Sequence, residues 1–267
     1  MHAPAPKPRA PARLSPGLAV LAALAGMAAL AACDRAQEDP LAPLARMARS
    51  GMGTAEERVA RAHAFLAGDV APHVQIQSLF AQEGPGDPPQ DVERITWPGT
   101  PYIAVGVFDA DGKLLGALPH AGEGVEELLG RVVQGPEVGD LTRIPNTFAF
   151  TVGMRQPVPG HDGARIAALL AVDQVLVADV LQPLAEAAHG FAFLADGEGN
   201  AVLTTLPALT GRALAHFQIP LPDPGQEATA TVTIDGHRYD VAAARSAGLH
   251  GWIVGVGVAA LEPGPGA

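Results

Sequence analysis

The chain has 267 residues, with 17 Lys and Arg against 28 Asp and Glu, a formal charge of −11, and apolar residues at 48% of which few are aromatic. Nucleic acid and anionic lipid surfaces are bound through a basic face, so this acidic balance excludes both as electrostatic partners. With 31 glycines, 25 prolines and one cysteine, the composition points to many turns, a core of Ala, Val and Leu, and a fold held without disulfides.

The first thirteen residues carry Lys7, Arg9 and Arg13 and no acid, and Leu14 to Ala32 is an alanine- and leucine-rich run. A basic start, an apolar stretch and small residues at the end have the layout of a secretory leader. The run closes on Leu30-Ala31-Ala32-Cys33, which resembles the lipobox of bacterial lipoproteins. That resemblance implies that residues 1–32 are a signal peptide, that Cys33 is lipidated, and that residues 33–40 are a tether. Two or more acyl chains would be needed, since each buried methylene contributes about 0.8 kcal/mol and one chain holds only marginally. The competing reading is an uncleaved membrane-spanning helix that ends in a chance cysteine, because an apolar run of about 20 residues can cross a bilayer. Both readings put the remainder outside the cytoplasm. Asp34 is similar to the signal that keeps enterobacterial lipoproteins in the inner membrane, which slightly favours that membrane. Loss of residues 1–32 would leave 235 residues and take the charge from −11 to −14, enough chain for one large or two small domains.

Leu41 to Leu66 reads as helix, with Leu44, Met47, Val59, Ala62 and Phe65 at three- and four-residue steps. Gly51-Met52-Gly53 is expected to break it, and Thr54 with Glu57 to form a capping box for the second half. A further turn or helix is expected over Pro72 to Phe80, then an exposed loop at Gly84-Pro85-Gly86-Asp87-Pro88-Pro89. Strands follow: Tyr102 to Phe108 and Lys113 to Leu118 about the turn Asp109-Ala110-Asp111-Gly112, then Phe148 to Val152 and Arg165 to Val172. Val175 to Ala188 reads as a helix that Pro183 should bend or split. Phe191 to Leu194 and Ala201 to Thr205 flank a second turn, Ala228 to Ile234 and Arg238 to Ala244 form a hairpin about Asp235-Gly236, and Trp252 to Val258 closes the sheet.

The segments Asp109-Ala110-Asp111-Gly112-Lys113-Leu114-Leu115 and Asp196-Gly197-Glu198-Gly199-Asn200-Ala201-Val202 share the pattern acid, any, acid, glycine, any, apolar, apolar. Leu128-Leu129-Gly130-Arg131 and Leu209-Thr210-Gly211-Arg212 follow them as a second shared step. Two such turns in similar settings suggest two copies of one α+β module. Asp109 and Asp111 also look like the start of a calcium loop, but the later acids are missing and turn capping explains them better.

In order and spacing these pieces resemble the double Cache domain, an extracytoplasmic relative of PAS domains in bacterial chemoreceptors and sensor kinases. The likeness runs from residue 40 to 260 through Ile103 to Leu115, Ala168 to Asp173, Gly190 to Asp196 and Gly251 to Val256. It implies an α+β fold: a long N-terminal helix, then two PAS-like modules, each a central antiparallel sheet with flanking helices. Residues 41–89 would be the N-terminal helical segment, 90–183 a membrane-distal module that holds the ligand, 184–260 a membrane-proximal module and 261–267 a tail. Such receptors continue into a transmembrane helix and a cytoplasmic signalling domain, whereas this sequence stops at Ala267. A separate membrane-bound partner, a sensor kinase or chemoreceptor, is therefore expected to carry the signal.

Within the distal module that the resemblance implies, the residues with useful chemistry for binding a ligand are Trp97, Tyr102, Arg143, Arg155 and Asp173. An arginine can fork onto a carboxylate and an aspartate can hold an amine above an apolar wall, which suits a small carboxylate or zwitterion. Asp173 matches an aspartate that follows the last strand in amino-acid-binding members, while their tyrosine and Arg-x-Trp-Tyr elements have no counterpart here. Each residue also has a plain structural reading: surface or ion-paired for the arginines, partial core for Trp97 and Tyr102, a helix N-cap for Asp173. No Gly-x-Ser-x-Gly elbow, His-Glu-x-x-His or phosphate loop occurs, and the histidines have no paired spacing. No enzyme activity, cofactor or metal is expected. The alternative to a sensor is a structural or scaffolding envelope lipoprotein that binds another protein and no metabolite.

Overall fold

A computed structural model describes residues 39–72, 76, 80, 101–118, 123–147 and 149–261. Cys33, Trp97, the Gly84 to Pro89 loop and most of Pro72 to Phe80 lie outside the described residues. The chain divides into two units, Met1–Ala42 and Pro43–Ala267. In the described end of the first, Asp39 closes a turn by accepting the Leu41 N–H (2.9 Å) at its carboxylate and the Ala42 N–H (2.9 Å) at its carbonyl.

Helix α1, Ala42–Phe65, is continuous and widens into a π-helical turn at Leu66–Val70. The expected break at Gly51-Met52-Gly53 does not form. Gly51 and Met52 are buried, and a Cβ at Gly51 would collide with Leu184 and stand 3.2 Å from Val254. Glycine is there to let the helix approach its neighbours, and packing outweighs its propensity cost of about 1 kcal/mol. The Thr54–Glu57 capping box is likewise absent: Thr54 sits inside the helix and donates its hydroxyl to the Ser50 carbonyl (3.0 Å).

Two five-stranded antiparallel sheets follow. The first holds β1 Tyr102–Phe108, β2 Leu114–Leu118, β3 Val138–Arg143, β4 Phe150–Pro157 and β5 Arg165–Ala171 in the order β2-β1-β5-β4-β3. The second holds β6 Phe191–Ala195, β7 Ala201–Thr204, β8 Glu227–Ile234, β9 His237–Arg245 and β10 Ile253–Ala259 in the order β7-β6-β10-β9-β8. Moving each label by five strands turns one order into the other, so the sequence repeat is a repeat of topology. The paired turns match atom for atom. Asp109 Oδ1 accepts the Asp111 and Lys113 N–H groups (3.0 and 2.8 Å), and Asp196 Oδ1 accepts those of Glu198 and Asn200 (3.0 and 2.8 Å). Gly112 and Gly199 take φ of 80° and 86°, where a side chain would be strained.

The second shared sequence step has no such counterpart. Leu128 to Arg131 belongs to helix α2, Glu123–Gln134, whereas Leu209 ends a 3₁₀ turn and Thr210 to Arg212 lie in the loop before the next one. Helix α2 and strand β3 were not expected from the sequence. Leu128, Leu129 and Val133 of α2 pack with Ala104, Phe108, Ala167 and Leu169 on one face of the first sheet. Between the sheets, Asp173–Leu181 is a π-helix that passes into α3, Gln182–Ala188, with Pro183 in the first turn of α3. The expected split is thus a change of helical pitch just ahead of the proline.

Candidate functional site

Helix α2 lies directly on the sheet where β4 carries Gly153: a Cβ there would collide with Val132. Toward the sheet edge the helix and strands part, leaving a cavity of about 180 Å³. Leu128, Arg131 and Val132 line it from α2, Gly135 and Pro136 from the following corner, Gly139, Asp140 and Thr142 from β3, and Gly153 from β4. The β3–β4 pairing slips between Val138 and Leu141, a bulge of the kind that re-aims a side chain. It turns the Asp140 carboxylate so that Oδ1 accepts both the Leu141 N–H (2.7 Å) and the indole N–H of Trp252 (2.6 Å). Beside it, the Val138 carbonyl is 2.9 Å from His250 Nε2. The cavity therefore has an apolar wall of Leu128 and Val132, a guanidinium, a carboxylate and a hydroxyl, with one carboxylate oxygen tied to the other sheet.

Of the residues the sequence singles out, none of the four described ones lines this cavity. Tyr102 is half-buried at the start of β1, on the α1 side. Its ring stacks on Phe65 (centroids 6.4 Å apart) and its hydroxyl donates to the Ala62 carbonyl, while burial pushes its phenol well above the ordinary range. Arg143, exposed at the end of β3, donates from Nε to the Thr147 carbonyl (2.7 Å). Arg155 comes nearest: its Nε donates to the carbonyl of the lining residue Gly135 (2.6 Å), and its backbone N–H to Glu137 (2.9 Å). Asp173 is exposed in the first turn of the π-helix, where Val172 is the cap residue. Trp97 lies outside the described residues.

Arg131, Asp140 and Thr142 were missed because the elements that carry them were missed. The signal was present for α2: Val125, Leu128, Leu129, Val132 and Val133 form an i, i+3, i+4, i+7, i+8 stripe. Gly124 and Gly130 obscure it.

No protein-family model matches the sequence, and no curated protein matches it. Solved structures do. The ligand-binding domain of the Campylobacter jejuni chemoreceptor Tlp3, in complex with 4-methylisoleucine, superposes with a TM-score of 0.53 at 12% identity, over 85% of this chain and 94% of that one. That of the Pseudomonas fluorescens chemoreceptor CtaA, with L-alanine, gives 0.52 at 17% identity over 83% and 97%. That of the Pseudomonas aeruginosa amino acid chemoreceptor PctB, with L-Arg, gives 0.50 at 15% identity over 76% and 91%. The fold is that of Cache-type ligand-binding domains.

In this Cache fold the two modules are unequal. Where the first carries α2 and a cavity, the second has only the 3₁₀ turns Pro207–Leu209 and Leu214–Phe217. Leu209, Leu214 and Phe217 pack there with Phe191, Phe193, Ile219 and Val232 into one cluster. The rings of Phe193 and Phe191 fill the space that Cβ atoms at Gly255 and Gly257 would need, so that face of the second sheet is solid. Among the described residues no helix is long and apolar enough to cross a membrane, and no group of three His, Cys, Asp or Glu could hold a metal.

Proposed function

We propose that this chain is a lipid-anchored extracytoplasmic sensory module that binds a small carboxylate or zwitterion and passes its state to a separate membrane signalling partner. One observation carries the reading: a Cache fold whose α2 cavity offers a guanidinium, a carboxylate and a hydroxyl beside an apolar wall. Arg131 would take a carboxylate in a forked pair, Asp140 an amine through Oδ2, and Thr142 a further hydrogen bond. Arg155 would hold the Gly135 corner in place. The fold neighbours bound to L-alanine, L-Arg and 4-methylisoleucine support an amino acid as the ligand class. A volume of about 180 Å³, below the range of about 300–1,000 Å³ common for drug-sized ligands, favours a small one.

Cys33 would be the lipid anchor, residues 90–183 the distal ligand-binding module and residues 184–260 the proximal one. Occupancy of the cavity would reach the second module through Asp140 and Trp252. From there it would reach α1, because the Ser246 N–H donates to the Trp252 carbonyl (2.8 Å) and the Ser246 hydroxyl donates to Glu56. The role is binding and not catalysis.

Thermal denaturation of the purified protein with α-amino acids and short-chain carboxylates tests this. A true ligand at a hundred times its Kd adds about 2.7 kcal/mol of stability, which raises Tm by about 5–10 °C in a domain of this size. No stabilisation by any of these compounds would contradict the sensor reading. The filled face of the second sheet favours a second reading, a scaffolding lipoprotein that holds another envelope protein. Crosslinking in cells separates the two, since a scaffold keeps a stoichiometric partner in an Arg131→Ala variant without ligand.

A further inference from the structure

We propose that a second ligand site, for an organic anion with a small apolar body, lies between α1 and the π-helix Asp173–Leu181. A cavity of about 250 Å³ opens there, away from α2. Arg58, Arg61, Ala62 and Phe65 line it at i, i+3, i+4 and i+7 along one face of α1, and Pro101, Val175 and Asp179 close it from the other side. Ala62, Phe65, Pro101 and Val175 make an apolar floor. Two guanidiniums face one carboxylate in the lining, and Glu57 pairs with Arg61 from just outside it.

Two features single out this cavity. The nine-residue π-helix Asp173–Leu181 contributes Val175 and Asp179, and Phe65 directly precedes the π-helical turn Leu66–Val70. Such geometry is rare, usually a single turn, and gathers at functional positions. The floor is also fixed before any ligand arrives, since Tyr102 stacks on Phe65 and its hydroxyl holds the Ala62 carbonyl, and a preformed floor lowers the cost of binding.

The cations at the mouth are paired at solvent-exposed positions. Arg58 Nε stands 3.3 Å from Asp179 Oδ2, with side chains 36% and 42% exposed, and Arg61 pairs with Glu57 one turn away, with side chains 64% and 65% exposed. Exposed pairs of this kind contribute little. A carboxylate entering over the floor gains forked bonds from guanidiniums that give up weak partners, while its hydrocarbon body covers Phe65 and Val175. Charge alone or hydrocarbon alone uses half of the site.

Calorimetric titration of the full chain with benzoate tests this, with sulfate as charge without body and benzyl alcohol as body without charge. Benzoate is expected to bind at least about tenfold more tightly than either control. Arg58→Gln combined with Arg61→Gln should weaken it by at least about tenfold, and Val175→Phe, which fills the floor and keeps both arginines, should do the same. Arg238→Gln, exposed on β9 and outside both cavities, should leave it unchanged. If the double variant fails to fold, Arg61→Gln takes its place, because its partner Glu57 lies on the same helix. No benzoate binding, equal binding of benzyl alcohol, or undiminished binding in the Arg58 and Arg61 variant would overturn the proposal.

Discussion

Tyr102 shows how one side chain can pass for a ligand contact and act as a clasp. Its position at the head of β1 looks suitable for a pocket, yet its ring and hydroxyl are both committed to the last turns of α1. Removing the hydroxyl in Tyr102→Phe should cost about 0.5–1.5 kcal/mol, read by chemical denaturation at neutral pH. Burial raises the phenol pKa in the folded state, so the neutral form is the one that folding favours. Its contribution is fully present below the unfolded value of about 10 and is lost as pH climbs toward the folded value. Wild type should therefore lose stability above about pH 10 more steeply than Tyr102→Phe, and parallel curves would count against the clasp. Residue types were legible in the sequence, and partners were not. Arg155 and Arg143 are the right chemistry for a carboxylate, but their guanidiniums reach the Gly135 and Thr147 carbonyls, contacts that only the corners of the fold create.

At the scale of elements, turn chemistry carried most of the sequence information. Asp-x-x-Gly and Asp235-Gly236 punctuate the chain strongly, and Asp235 and Gly236 take φ of 47° and 83°, as the tight turn between β8 and β9 requires. The strands flanking the Asp109, Asp196 and Asp235 turns consequently fall within a residue or so of where the pattern puts them. Elements without such punctuation were lost or misjudged. Glycines hid α2, and the Gly51 to Gly53 stretch looked like a break because local propensity cannot see that Leu184 and Val254 need the space. Strand β3 shows a third cause, since its bulge spoils the alternation that marks a strand. That bulge is what joins Asp140 to Trp252. Trp252→Phe should cost about 1.5–3 kcal/mol, as expected for a hydrogen bond to a charged acceptor. A double-mutant cycle with Asp140→Ala should return a coupling of about 1–2 kcal/mol; additive effects would remove this bond as a link between the sheets.

Across the whole Pro43–Ala267 unit, α1 serves as the shared spine. Near its start Arg49 forms a two-point pair with Glu227 of the second sheet, and farther along Glu56 accepts the Ser246 hydroxyl. Near its end Ala62 and Phe65 hold Tyr102 of the first sheet. One repeated topology has thus been put to two uses. The second copy closes over phenylalanine rings, and the first leaves a cavity beside a helix the second lacks. This asymmetry was invisible in the sequence repeat, which keeps the turns and says nothing of the faces.

Amide chemical shifts followed by NMR during titration with the best-stabilising amino acid or carboxylate test the ligand site most directly. Shifts concentrated at Leu128 to Gly135, Gly139 to Thr142 and Gly153, with Trp252 responding through Asp140, are expected for a ligand held under α2. Saturable shifts confined to the second sheet, or none in these segments, would contradict it.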